Sequence, residues 1–149
     1  EYTMGSFDFF NKKDTNRFVS VDGKDDDKKD TVWSVEVDGE EQDIITPVAI
    51  TEHLNAIINS DKDFLILTPS HPVSISKTER VCNFVQLCQD EESGLFHLEV
   101  STIKADKEDD IVIYGKDGFI KESILSIIND LLQEDLVPDL RGWETVLEL

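Results

Sequence analysis

Two short stretches of strict alternation leave this chain little freedom of fold. "VCNFVQLC" at 81–88 and "LFHLEVST" at 95–102 each alternate apolar and polar residues, and the "QDEESG" between them is polar and ends in Gly94. A period of two turns one face of a strand toward a core and the other away from it. Two such runs joined by a short polar loop predict a β-hairpin, and with it an antiparallel sheet. In the second arm Phe96, Leu98 and Val100 share one face, and His97 and Glu99 share the other. "TVWSVEV" at 31–37 repeats the pattern, with Trp33, Val35 and Val37 set against Ser34 and Glu36.

Other segments extend the sheet. "RFVSV" at 17–21 reads as a short strand, and "DGKDDDKKD" after it as a hairpin loop. "DFLILTP" at 63–69 is a continuous apolar run ended by proline, which suits a central strand covered on both faces. "DIVIYG" at 110–115 is a further strand, after which "KDG" turns the chain. "RGWETVLEL" reads as a short edge strand anchored by Trp143, and "FDFFNKKD" at 7–14 as either a short helix or an apolar arm.

Two segments change period. Over 46–59, Ile50, Leu54, Ile57 and Ile58 fall at i, i+4, i+7 and i+8, one helical stripe. Thr46 with Pro47 and Thr51 are competing starts. Over 119–134, Ile120, Ile124, Ile127, Ile128 and Leu131 form a second stripe, stopped before Pro138. The order β-β-α-β-β-β-β-α with a last strand predicts an α+β fold. The expectation is one domain over 1–149, with an antiparallel sheet of about five to seven strands and two main helices packed on one face.

Charge narrows the partners. Lysine and arginine total 14 against 33 aspartates and glutamates, a formal net charge of −19. Such a field repels phosphates and anionic membranes and speeds encounter with cationic surfaces. Nucleic-acid and membrane partners are therefore not expected, since binding to nucleic acid relies on Lys and Arg at phosphates. The plain alternative is that the charge serves solubility. The acid is concentrated in Asp25, Asp26 and Asp27, in Glu40 and Glu41, in Asp90, Glu91 and Glu92, and in Glu108, Asp109 and Asp110. All four clusters are expected in connections, as a rim suited to a basic protein partner.

Cys82 and Cys88 lie in one predicted strand, about 20 Å apart at six residues. A disulfide needs Cα atoms within about 7 Å, so both are expected as separate thiols, which favours a cytoplasmic location. The apolar runs are too short to span a bilayer. The only methionine is Met4, and "EYT" before it reads as an expression remnant.

Motifs for chemistry are absent from the text of the sequence. An EF-hand loop begun at Asp22 or at Asp106 puts Asp27 or Ile111 where glycine is required. No CxxC, HExxH, GxSxG or glycine-rich phosphate loop occurs. No metal, cofactor or catalytic residue is therefore expected. His97 and Glu99 could form an acid–base pair, but without a nucleophile beside them a polar pair on a sheet face is the preferred reading.

The order of "TEHLNAIINS", "DFLILTP", "NFVQL", an acidic turn, "GLFHLEV", an amphipathic helix and a final "GWETVLEL" resembles small acidic α+β immunity proteins encoded beside polymorphic bacterial toxins. The resemblance covers roughly 46–149, is one of cadence, and transfers no single residue. It implies a cytoplasmic, non-enzymatic protein that binds and neutralises a cognate secreted toxin domain. Two other classes fit the acidity: a type III-like secretion chaperone and an acidic nucleic-acid mimic. A chaperone would expose apolar grooves, and a mimic would space its carboxylates regularly along one face.

Overall fold

The computed structural model describes residues 31–149. The readings at 1–3, 7–14 and 17–21 and the cluster Asp25, Asp26 and Asp27 lie outside the described residues. The described residues are α+β, with one antiparallel sheet of eight strands and two helices. The strands are β1 (Trp33–Val37), β2 (Glu40–Glu41), β3 (Phe64–Pro69), β4 (Val73–Ser74), β5 (Arg80–Gln89), β6 (Phe96–Lys104), β7 (Lys107–Phe119) and β8 (Glu144–Glu148). Helix α1 (Pro47–Ile58) joins β2 to β3, and α2 (Lys121–Glu134) lies between β7 and β8. The sheet order is β2-β1-β3-β5-β6-β7-β8, with β4 paired to β5 beside that path.

Eight strands exceed the expected five to seven. The surplus is β2 and β4, each two residues long, too short to show alternation. A second correction concerns β7. The expected turn at 116–118 does not form, because β7 continues to Phe119 opposite Phe96. Gly118 in that stretch adopts φ +91, a conformation costly for a side chain.

Register assigns the faces. The first face carries Trp33, Val35, Val37, Leu65, Leu67, Val85, Leu87, Phe96, Leu98 and Val100, all buried. Ile50, Leu54 and Ile57 of α1 and Ile124, Ile128, Leu131 and Leu132 of α2 belong to the same hydrophobic cluster. Ile127 packs against this cluster partly buried. Ile58 and Ile120, expected in the two stripes, are exposed because they stand at the last residue of α1 and the N-cap of α2. The remaining stripe positions and the strand alternation meet in one core. The second face carries a smaller cluster of Ile66, Phe84 and Ile113, with Phe64 and Ile111 packed against it.

Local chemistry fixes the boundaries. Thr46 is the N-cap of α1 and its hydroxyl accepts from the Ala49 N–H at 3.1 Å. Thr51 instead donates to the Pro47 carbonyl inside the helix, which settles the competing starts. The β1–β2 turn is Asp38–Gly39, with φ of 52 and 87. Two consecutive positive φ values match the twist of a tight hairpin, and Asp-Gly is a preferred pair for it. The Asp38 carboxylate then accepts from the N–H groups of Asp63 and Phe64 at 2.8 and 3.0 Å, which ties the turn to the start of β3.

Candidate functional site

The expected rim divides into two ends. Strand β6 runs from Phe96 to Lys104, roughly 30 Å at strand rise. The β1–β2 turn, the β5–β6 turn and the 116–119 part of β7 lie at its Phe96 end. Lys104, Arg80 and the start of β7 lie at the other. Asp90, Glu91 and Glu92 therefore sit far from Glu108, Asp109 and Asp110. Nor are all the clusters in connections: Glu40 and Glu41 form β2, and Glu108, Asp109 and Asp110 belong to β7.

Within each cluster the residues differ in role. Asp110 is held by Arg80, whose Nη2 lies 3.1 Å from its carboxylate and donates to its carbonyl at 2.6 Å. Lys104 approaches the same carboxylate at 3.9 Å. Asp90 builds its own turn, accepting from the Glu92 N–H at 3.0 Å and the Ser93 hydroxyl at 3.2 Å. Glu108 and Asp109 are exposed at the far end, Glu40, Glu91 and Glu92 are exposed at the Phe96 end, and among the described residues no salt bridge reaches any of the five. Asp61 and Asp63 also lie exposed at the Phe96 end. Neither was singled out in the sequence, because a lone aspartate before a strand carries no pattern.

The same end holds the most organised polar group on the second face. His97 sits between two carboxylates. Its Nε2 is 2.8 Å from Glu99 Oε2, and its Nδ1 is 2.6 Å from Asp117 Oδ1. Gln86 Nε2 donates to Glu99 Oε1 at 2.6 Å. Cross-strand pairing places these groups: Gln86 faces Glu99, and Cys88 faces His97. The shared face of His97 and Glu99 follows from alternation. Asp117 comes from β7, and the continuation of β7 past 115 is what brings it there.

Two acceptors on two ring nitrogens favour the imidazolium, which donates from both. Burial of His97 pulls its pKa down, but the hydrogen bonds and charges of Glu99 and Asp117 outweigh it, and the net shift is upward. The ring ties β6 to β7, and its two carboxylate partners favour the charged form. Cys88 beside it is pushed up, by burial first and then by Glu99, Asp117 and Asp90. The thiol stays protonated at neutral pH, so the pair lacks the thiolate that nucleophilic chemistry needs. Cys82, fully buried, is pushed up to about 12 by burial. Both cysteines are free.

An open cleft of about 450 Å³ lies beside the histidine, lined by Asp63, Phe64, Gln86, Leu87, Cys88, His97 and Glu99. It joins the clamped histidine to the exposed acid at this end. Gly115, opposite Glu99, makes room for the arrangement, since a Cβ there would stand 3.2 Å from His97 Cε1 and 2.6 Å from Val146 Cγ2. Among the described residues no group of three or more His, Cys, Asp or Glu side chains is arranged so that it could hold a metal ion, and no helix is long and apolar enough to cross a membrane. No family model matches the chain, and neither a curated protein nor a solved structure is detectably similar to it.

Proposed function

We propose that this chain is an immunity protein that binds and neutralises a cognate toxin domain through the acidic end of its sheet. One observation carries the reading. Glu40, Asp61, Asp63, Glu91 and Glu92 are exposed at the end that holds the open cleft, without salt bridges among the described residues; at the other end Asp110 is held by Arg80, and the exposed Glu108 and Asp109 lie away from that cleft. Unpaired surface carboxylates around an open cleft favour a basic protein surface. They steer association, and a smaller buried set supplies tightness. Asp90 and Asp110 are already engaged within the chain, and Glu108 and Asp109, though exposed, lie at the far end from the cleft, so Glu40, Glu91 and Glu92 are the proposed contact residues among the described clusters.

The test is co-expression with a toxin domain encoded beside this gene, followed by binding kinetics at several salt concentrations. Protection of the host and a salt-sensitive association rate are expected. Glu91→Lys with Glu92→Lys slows association and flattens its salt dependence while the fold stays intact. A wild-type protein that neither binds nor protects defeats the reading. Protection with kinetics indifferent to these charges removes only the role of the acid.

A further inference from the structure

Strand register builds the floor of the cleft beside His97. On the second face it sets Phe64 of β3, Cys88 of β5 and His97 of β6 in one row, with Gln86 and Glu99 in the next. Two rings therefore flank one small thiol side chain, on strands roughly 10 Å apart. All five residues line the cleft, whose volume of about 450 Å³ suits a ligand group. One wall is polar and satisfied from within, since Gln86 and His97 each engage one oxygen of Glu99. The opposite wall is Phe64, half-buried. Asp63 stands at the rim, exposed, and among the described residues no hydrogen bond or salt bridge reaches its carboxylate. Its backbone is nevertheless fixed, because the N–H groups of Asp63 and Phe64 both donate to the Asp38 carboxylate. Among the described residues no lysine or arginine lines the cleft.

We propose that this cleft is an anchor site for one arginine side chain of the basic partner, its guanidinium lying against the Phe64 ring and the Asp63 carboxylate. The proposal deepens the functional reading above and rests on it for the source of the arginine, a toxin domain. The exposed acid steers the encounter, and the cleft supplies a buried contact of the kind that holds an interface together. Charge selects a cation. Asp63 is unpaired, and Glu99 and Asp117 together outnumber the single charge that His97 can carry. The field of this acid reaches the floor: after burial, Glu99, Asp117 and Asp90 push the Cys88 thiol up. Shape selects arginine over lysine. A guanidinium is planar and weakly hydrated, stacks on a ring face and meets a carboxylate with two N–H groups at once, whereas an ammonium is a compact, strongly hydrated point charge. A second copy of the chain is a poor source. Each copy carries a net charge of −19, and Arg80 and Arg141 are already held by Asp110 and Asp139.

The experiment uses the whole protein and three probes, the N-acetyl methylamides of arginine, of lysine and of citrulline, the last being the neutral isostere of arginine. Amide and aromatic spectra are recorded during titration, together with the rate at which iodoacetamide alkylates Cys88. Cys82 is fully buried and stays unmodified in the native state. The arginine probe is expected to give saturable shifts at Asp63, the Phe64 ring, Cys88 and His97, and to slow alkylation of Cys88. The lysine and citrulline probes are expected to bind more weakly. Asp63→Asn should weaken the arginine probe about fivefold, the upper end for one exposed ion pair. Phe64→Leu keeps the apolar bulk and should erase the preference for arginine over lysine. Asp63 is exposed, so its variant preserves the test if Phe64→Leu does not fold. Equal binding of the three probes, shifts only outside the cleft, a preference that survives Phe64→Leu, or undiminished binding to Asp63→Asn overturns the proposal. Docking of the arginine probe with no binding of the neighbouring toxin domain defeats the immunity reading alone. Neutralisation of that domain undiminished in both variants defeats the anchor alone.

Discussion

The two ends of the sheet contain similar acid and use it differently. At the end that holds Arg80, cations meet one carboxylate of the cluster, Asp110, while Glu108 and Asp109 are exposed without a salt bridge among the described residues. Arg80 reaches Thr102 Oγ1 at 2.7 Å and the Asp110 carboxylate at 3.1 Å, and the Trp33 indole donates to Asp135 Oδ1 at 2.9 Å. At the end that holds Phe96, the carboxylates of Glu91 and Glu92 face solvent, Asp38 and Asp90 accept hydrogen bonds from nearby N–H and O–H groups of the chain, and Glu99 and Asp117 are engaged by His97. A carboxylate's role is thus set by whether a rigid donor reaches it. Arginine does this well, since its planar fork meets a carboxylate and a carbonyl at once. Where none arrives, the charge stays available to solvent or a partner.

The sharpest way to break this contrast is to remove the anchor of the pinned end. Trp33 is fully buried, and Trp33→Ala is expected to cost about 3–5 kcal/mol in chemical denaturation. An unchanged midpoint would put the tryptophan outside the core. Next is Arg80→Met, which keeps the apolar stem and leaves Asp110 and the Thr102 carbonyl without their donor. A loss of about 2 kcal/mol is expected, in the range for hydrogen bonds to charged groups. A loss near zero would make the two ends equivalent.

A smaller effect concerns His97. Its folded-state pKa is raised above the unfolded value of about 6.5. The stabilisation is therefore fully present below about pH 6.5 and is lost as pH rises through the folded pKa. His53 acts in the opposite sense: its pKa is lowered, by burial first and by Lys62, against Glu52. The measurement is consequently a difference. Denaturation midpoints of wild type and His97→Gln across this range should converge as pH rises, and proton NMR should place the His97 titration above the ordinary value. Parallel curves would show that the ring is not a charged tie. The smallest effect is expected at the free end, where Glu91→Lys with Glu92→Lys should shift stability by no more than about 0.5 kcal/mol, as exposed substitutions do. A large loss there would mean that these carboxylates, like Asp110, are structural.

Much of the fold was readable because burial imposes period. The stripe through Ile124, Ile128 and Leu131 and the alternation of Trp33, Val35 and Val37 each appear in the core as expected. Length limited the reading elsewhere: β2 and β4 are too short for any period, and Asp38–Gly39 was the one signal that could have revealed β2. β7 was cut short because "KDG" carries turn composition, while pairing with β6 extends the strand regardless. The site suffered most from this. His97 and Glu99 were seen to share a face, but Asp117 lay inside the supposed turn, so the three-part clamp was hidden. The division of the acid between two ends follows from strand register, which composition does not encode.

The two tryptophans give the molecule two optical probes with different surroundings. Trp33 is dry and hydrogen-bonded to the end of α2, whereas Trp143 is half-buried, 5.9 Å from the Phe119 ring and immediately before β8. A fluorescence quencher dissolved in water reaches the second and not the first in the native state. Opening of the β8 edge should therefore alter quenching and the emission of Trp143 while Trp33 stays blue-shifted. Loss of the core should move both together, so a single wavelength scan separates local fraying from global unfolding.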